Sequence, residues 1–224
     1  MRLLAAIVFA ISTLLMPSAS TALAKPLTSS QQQQLLQEAA DSVHLLISPY
    51  ARGTANYLGG GVWVTAFHCV DDIEEGQIIL CHNPTTGRSH LCTVWRSNPS
   101  VDMALLTSTT QHVLSKPIKV GKRDAELGDR VFNIGYGEGL HKDPIKLERR
   151  IYGGEVVGFY GIVGLDSNCW YVHESAAISG DSGGVSLIIA DGEAVVCGIL
   201  WGSNESRDIS VCGQLRYLLE LMRR

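Results

Sequence analysis

Between Ser42 and Cys212 the chain is a succession of short apolar runs rich in β-branched and aromatic residues. They read SVHLLISPY, GGGVWVTAF, GQIILCHN, SHLCTVWR and VDMALLTS, then PIKVG, DRVFNIGYG, LERRIYGGEVVGFYG, CWYVHES, GVSLIIADGEAVVCGILWG and ISVCGQL. Gly, Pro, Asn and Asp separate them, the pattern of an all-β barrel or sandwich. The ADGE stretch reads as a hairpin loop between two such runs. Residues 42–117 and 118–212 each hold about six runs. Two six-stranded antiparallel β-barrels fit this division, with the chain crossing between them near Ser115, Lys116 and Pro117.

The flanks differ. Residues 25–41 contain SSQQQQLLQEAAD, which favours a short helix or a flexible arm, with Ser30 available as the N-cap. In GQLRYLLELMRR, Leu215, Leu218, Leu219 and Met222 fall at helical spacing, so residues 213–224 are expected to form a C-terminal α-helix.

The first 24 residues carry one early charge, Arg2, then an apolar run, a polar break and Ala22-Leu23-Ala24. These are the parts of a secretory signal peptide. An uncleaved membrane anchor is the competing reading, because the uncharged stretch is long enough to span a bilayer. Cleavage after Ala24 is the expectation, giving a secreted or periplasmic product with no stable membrane association. The chain has 18 Lys and Arg against 22 Asp and Glu, a net charge of −4 that becomes −5 without Arg2. No basic face is evident, which argues against nucleic acid as a partner.

All six cysteines, Cys69, Cys81, Cys92, Cys169, Cys197 and Cys212, follow the leader. An even count in an exported chain points to disulfides, for which fifteen full pairings exist. Cys81 and Cys92 flank a hairpin turn, Cys197 and Cys212 flank WGSNESRDIS, and Cys69 with Cys169 remains. There is no Cys-x-x-Cys and no paired His-Cys spacing, so neither a metal site nor a cofactor is expected.

Three residues at strand ends carry the chemistry. His68 lies in VWVTAFHCV, Asp102 in SNPSVDMALL and Ser182 in AISGDSGGV. Each alone has an ordinary reading: a satisfied histidine, a turn cap, a Gly-rich turn. Together they match what acyl transfer needs. A serine hydroxyl attacks only when a base takes its proton, and an imidazole does this near neutral pH. The imidazolium then needs a carboxylate on its far nitrogen. Ser182 is thus the candidate nucleophile, His68 the base and then acid, and Asp102 the orienting group. The N–H groups of Gly180 and Ser182 would form the oxyanion hole, since flanking glycines let the backbone turn sharply.

On these motifs the chain resembles the trypsin-like, chymotrypsin-fold serine proteases. TAFHCV is similar to the family's Thr-Ala-Ala-His-Cys segment, VDMALL to its Asp-[Ile/Leu]-Ala-Leu-Leu segment, and GDSGG is its nucleophile motif, in the family's order His, Asp, Ser. PIKVGKRDAELGDRVFNIGYG and SAAISGDSGGVSL are similar to segments of the compact bacterial type, the protease domain of HtrA-like proteins. The resemblance spans about residues 42–221. It implies a serine endopeptidase acting on proteins or peptides without a cofactor. LWGS resembles the segment whose backbone holds the substrate strand, which would give Leu200 and Gly202 that role by β-augmentation; a core tryptophan before a turn is the other reading. By family spacing Ala176 lies at the floor of the S1 pocket, with Ala177, Gly202 and Ser210 as walls. None is charged, which implies a small or medium apolar P1 residue.

The chain departs from the family in three respects. It ends at Arg224, soon after the predicted helix, so the PDZ domain usual in HtrA-like proteins is not expected. Cys69 has no cysteine upstream after the leader to make the family's bridge around the histidine. The Arg/Lys-Ile-Val-Gly-Gly activation segment is missing from the sequence. Asp181, which pairs with a new Ile N-terminus in chymotrypsin-like zymogens, must therefore find another partner within the fold or await an unseen cleavage. An unpaired buried carboxylate would be costly. A catalytically inactive binding module on this fold and an esterase with the same triad are the competing functions.

Overall fold

The computed structural model describes residues 27–110, 113–137, 149–160, 170–174, 177–204 and 209–223. The expected signal peptide at residues 1–24, Cys169 and Ala176 lie outside these. Among the described residues twelve strands form two closed antiparallel barrels. The first comprises β1 (Val43–Ile47), β2 (Arg52–Gly59), β3 (Val62–Ala66), β4 (Ile79–Asn83), β5 (Arg88–Asn98) and β6 (Met103–Ser108). These pair in the order β1-β2-β3-β6-β5-β4, and β4 returns to β1. The second comprises β7 (Arg130–Gly135), β8 (Arg150–Tyr160), β9 (Trp170–Glu174), β10 (Val185–Ala190), β11 (Glu193–Asn204) and β12 (Ile209–Gln214). Its order is β7-β8-β9-β12-β11-β10, closed by β10 against β7. The all-β, chymotrypsin-like pair of barrels read from the sequence is the architecture observed.

Each barrel fills its own interior. Leu46, Trp63, Ile79, Cys81, Cys92 and Leu106 pack the first, and Val131, Val156, Ile188, Cys197, Leu200 and Cys212 the second. A third apolar cluster draws Val64, Met103 and Leu105 from the first barrel together with Ile134, Val185 and Val196 from the second. Burial of that shared surface, at roughly 25 cal/mol per Å² of apolar area, joins the barrels along one seam.

Both helices seal this seam. The helix α1 (Ser29–Ala40) buries Leu36 and Ala40. Its N-cap is Thr28 rather than Ser30, because Thr28 and Gln31 exchange side-chain and backbone bonds as a capping box. Arg149 donates to the Ala40 carbonyl at 2.7 Å and so satisfies the other end. The helix α2 (Leu215–Arg223) buries Leu215, Leu218 and Leu221. It starts two residues later than predicted, since Gly213 and Gln214 belong to β12 and pair with β9 or β11.

Two segments differ from the pattern reading. RGTANYLG is β2, although its polar residues gave no apolar run. PIKVG is an extended connection rather than a strand, touching β11 through a single bridge, Val120 to Val196. Among the described residues Cys69, Cys81, Cys92, Cys197 and Cys212 are not joined in disulfides. Cys81 stands opposite His90 and Cys92 opposite Ile79, so the pair is diagonal rather than face to face, and the two side chains are hydrogen-bonded to each other inside the barrel. Cys212 stands opposite Leu200, and Ser186 sits between it and Cys197, bonded to both.

Candidate active site

The pairing of β3 with β6 decides where His68 and Asp102 meet. Ala66 lies opposite Met103, so the residues just beyond β3 and just before β6 are brought side by side. The chain leaves β3 in a 3-10 turn, Phe67–Cys69, and enters β6 from another, Pro99–Val101. Asp102 closes that second turn in the left-handed conformation, φ 48° and ψ 48°, which Asp tolerates better than most residues. Its groups then hold the histidine turn at three points. The Asp102 carbonyl accepts the Phe67 N–H at 3.1 Å, Oδ1 accepts the His68 N–H at 2.8 Å, and Oδ2 accepts from His68 Nδ1 at 2.6 Å. The carboxylate has no proton to give, so Nδ1 carries it and Nε2 is left as the basic nitrogen. Burial disfavours the imidazolium, but the hydrogen bonds to Asp102 and Cys69 outweigh it and raise the His68 pKa from 6.5 to about 10.

Ser182 sits on a turn wedged between the barrels. Gly180 (φ 91°) and Gly183 (φ 82°) adopt conformations open to glycine. At Gly183 space is also decisive, because a Cβ would lie 2.2 Å from the Thr54 carbonyl and 2.4 Å from Thr65 Oγ1. Strand β2 grips the turn across the seam. The Thr54 N–H donates to the Ser182 carbonyl at 2.8 Å, Thr54 Oγ1 to the Gly180 carbonyl at 2.9 Å, and Asn56 Nδ2 to the Gly183 carbonyl at 2.6 Å. Thr54 Oγ1 also accepts the Tyr136 N–H at 2.9 Å. Thr54 and Asn56 are thus site residues that the sequence reading passed over. Their one signal was polarity at positions of β2 that turn out to have no exposed surface.

The turn stands against the histidine. Cys69 Sγ lies 3.8 Å from the Ser182 carbonyl oxygen. The Ser182 hydroxyl donates to the Trp201 carbonyl at 3.1 Å, and not to His68. That carbonyl is turned toward Ser182 where β11 bulges between Leu200 and Gly202. Among the described residues neither the Gly180 nor the Ser182 N–H donates to a protein acceptor. Both donors assigned to an oxyanion hole are therefore uncommitted to any described residue.

Asp181 has a partner. It is fully buried, and its Oδ2 accepts from Arg150 Nη1 at 2.7 Å, from the Tyr152 hydroxyl at 3.0 Å and from the Ile178 N–H at 3.0 Å. Burial raises the Asp181 pKa, while the Ile178 N–H, Arg150 and Tyr152 pull it back toward ionisation. Gly135 makes room for the carboxylate, since a Cβ there would lie 2.8 Å from Oδ1. An arginine of β8 thus occupies the role for which the resemblance offered only a cleaved N-terminus.

The residues assigned to substrate binding divide. Ala177 is buried, and its N–H donates to the Ser210 hydroxyl at 2.9 Å, so Ser210 lies beside it as an internally satisfied wall. Leu200 is fully buried; its N–H donates to the Gly184 carbonyl and its carbonyl accepts the Gly183 N–H, both at 2.8 Å, so its N–H is committed within the fold while its carbonyl keeps a second lone pair. Gly202 lies past the bulge, where β11 pairs with β12 but no longer with β10. Among the described residues no cluster of His, Cys, Asp and Glu is arranged to hold a metal ion.

No protein-family model matches the chain, and no curated protein does. Solved structures do match in fold. A serine endoprotease from Yersinia pestis superposes with a TM-score of 0.68 at 19% identity, over 89% of this chain and 66% of that one. The Rv3671c protease of M. tuberculosis H37Rv, in an inactive form, gives 0.68 at 18% identity, over 89% of this chain and 96% of the other. The HtrA-type protease AlgW, solved with a tripeptide, gives 0.68 at 20% identity, over 85% and 62%. The chain therefore spans about two thirds of the Yersinia and AlgW chains and nearly all of Rv3671c. At these identities the likeness establishes the two-barrel fold.

Proposed function

We propose that the chain is an exported serine endopeptidase that hydrolyses peptide bonds through Ser182, His68 and Asp102. The observation that carries this reading is the two-point hold of Asp102 on His68, with Oδ2 at 2.6 Å from Nδ1 and Oδ1 accepting the His68 N–H. A carboxylate that fixes both the tautomer and the backbone of a histidine is what general-base catalysis needs. For attack the Ser182 hydroxyl leaves the Trp201 carbonyl, which it bonds at 3.1 Å, and turns to Nε2. It attacks the peptide carbonyl, His68 takes the proton and later gives it to the leaving amine, and water hydrolyses the acyl-enzyme. The N–H groups of Gly180 and Ser182 receive the oxyanion. The substrate strand adds to β11 beyond Leu200, where the β10 side is open. Ala177 and Ser210 offer no charge, which supports a small or medium apolar P1 residue. The solved structures similar in fold are named as proteases, which supports peptide-bond hydrolysis as the activity.

A fluorophosphonate tests the reading. The expected result is a single adduct on Ser182, lost in His68→Ala, and cleavage of a peptide library after small apolar residues. Labelling elsewhere, or labelling unaffected by His68→Ala, refutes the triad; cleavage mainly after Arg or Lys refutes the P1 assignment. Intact mass of the mature product from an exporting host, with an N-terminus at Lys25, tests export.

A further inference from the structure

The interior of the second barrel holds a row of polar side chains that the triad does not use. Ser186 on β10 lies opposite Asn133 on β7, and Asn133 lies opposite Tyr152 on β8. The Ser186 hydroxyl donates to Asn133 Oδ1 at 2.6 Å. The Asn133 side chain bonds the Tyr152 hydroxyl, and that hydroxyl donates to Asp181 Oδ2 at 3.0 Å. From the far wall of the barrel Cys212 Sγ meets Ser186 Oγ at 2.9 Å. Ser186, Asn133, Cys212 and Asp181 are all buried.

Donor counting gives the row one direction. Ser186 has a single proton and spends it on Asn133, so Cys212 must donate to Ser186. Asn133 accepts through Oδ1, so its amide N–H₂ faces Tyr152. Burial, with Asp181 beside it, raises the Tyr152 phenol far above its usual pKa, so it stays a donor. Every hydrogen bond therefore points the same way, toward Asp181. A chain of aligned donors in a low-dielectric interior strengthens link by link.

We propose that Cys212, Ser186, Asn133 and Tyr152 are positioning residues: an aligned relay that, with Arg150, keeps the Asp181 carboxylate charged and aimed, and so holds the Gly180–Ser182 turn in its reactive shape. This rests on the serine-protease reading for its effect on turnover, and not for its effect on Asp181. A buried polar row has a purely structural alternative, in which it satisfies its own atoms and nothing more. The two differ in whether a change at Ser186, out of contact with any substrate, reaches Asp181.

The test uses Ser186→Ala in the full mature chain, with Tyr152→Phe as a second break that keeps the ring, and Cys212→Ala beside Cys212→Ser. The Asp181 carboxyl is followed by ¹³C NMR across pH, assigned with Asp181→Asn, alongside kcat and KM for peptide hydrolysis. The relay predicts that Ser186→Ala and Tyr152→Phe move the Asp181 titration to higher pH. They lower kcat about tenfold with KM unchanged, the scale of one hydrogen bond. Cys212→Ser, which keeps a donor, behaves as wild type, and Cys212→Ala does not. In an Asp181→Asn background the Ser186→Ala effect on kcat disappears. An Asp181 titration unmoved by both Ser186→Ala and Tyr152→Phe overturns the relay, even where stability falls. A wild-type protein with neither turnover nor labelling refutes the protease reading instead, and the Asp181 titration still decides the relay.

Discussion

Arg150 places Nη1 2.7 Å from Oδ2 of Asp181, the residue before Ser182, and that carboxylate has no exposed surface. The cation comes from the middle of the chain rather than from a newly cut end. An internal partner is present as soon as β8 pairs with β7, so the turn bearing Ser182 acquires its counter-charge by folding alone.

Removing Arg150 strands that carboxylate. Arg150→Ala is expected to cost about 3 kcal/mol, the scale for breaking one side of a buried ion pair. Urea unfolding measures it. The double variant Arg150→Met with Asp181→Asn regains much of that loss, because no charge is left buried. If Arg150→Ala unfolds at the wild-type midpoint, the pair does not hold the turn.

The His68 pair sets a pH dependence. Its pKa rises from 6.5 to about 10 in the folded chain, through the bonds to Asp102 and Cys69 and against burial. A raised histidine pKa adds stability fully present below about pH 6.5 and lost as pH rises through about 10. Catalysis needs the neutral ring, so kcat/KM should climb with pH across the same window. Cys69→Ala removes one of the groups that favour the imidazolium and should shift the limb to lower pH. A limb that stays in place in Cys69→Ala denies the thiol this influence.

Gly53 lies beside that thiol. A Cβ at residue 53 would stand 2.7 Å from Cys69 Sγ. Across a disulfide a Cβ lies roughly 3 Å from the partner sulfur, given an S–S bond near 2.05 Å. Gly53→Cys is therefore expected to bond to Cys69 on oxidation and add up to about 3 kcal/mol, as for other loops of this length. Gly53→Ala meets the same crowding with no bond to relieve it and should be destabilised. Intact mass under non-reducing conditions, with thermal melts with and without reductant, reads both outcomes.

The Thr54 hydroxyl serves two buried groups, the Gly180 carbonyl and the Tyr136 N–H. Thr54→Val keeps the shape and orphans both, at roughly 1–3 kcal/mol for each group left unsatisfied. Labelling of Ser182 should slow more than global stability explains, because Gly180 carries one of the N–H donors proposed to receive the oxyanion. Equal labelling rates at equal fraction folded count against this role for β2.

Much of the fold was legible because its strands announce themselves by apolar runs, and the histidine, aspartate and serine because each sits in a short motif at a strand end. The rest was hidden by pairing across distance. RGTANYLG carries polar residues where an interior strand is expected to be apolar, since Thr54 and Asn56 face a turn more than a hundred residues away in the chain. PIKVG has strand-like composition but lies between the barrels with one bridge. Arg150 gave no local sign that its partner was Asp181. The cysteine pairings depended on register, and strand composition does not reveal whether two sulfurs stand opposite or diagonal. Leu200 was assigned from a motif, whereas the commitment of its N–H to Gly184 is invisible in composition.

The hold of β2 on the Gly180–Gly183 turn has a consequence for how the molecule could be divided. The turn belongs by sequence to the second barrel, yet the Gly180, Ser182 and Gly183 carbonyls accept from the first. Neither half owns a working turn. A cut in the connection at residues 109–129 that leaves the halves together preserves the site, and one that lets them drift apart dismantles it at once. Activity in such a molecule would be a gauge of association, falling with dilution as the halves part and returning as they rejoin.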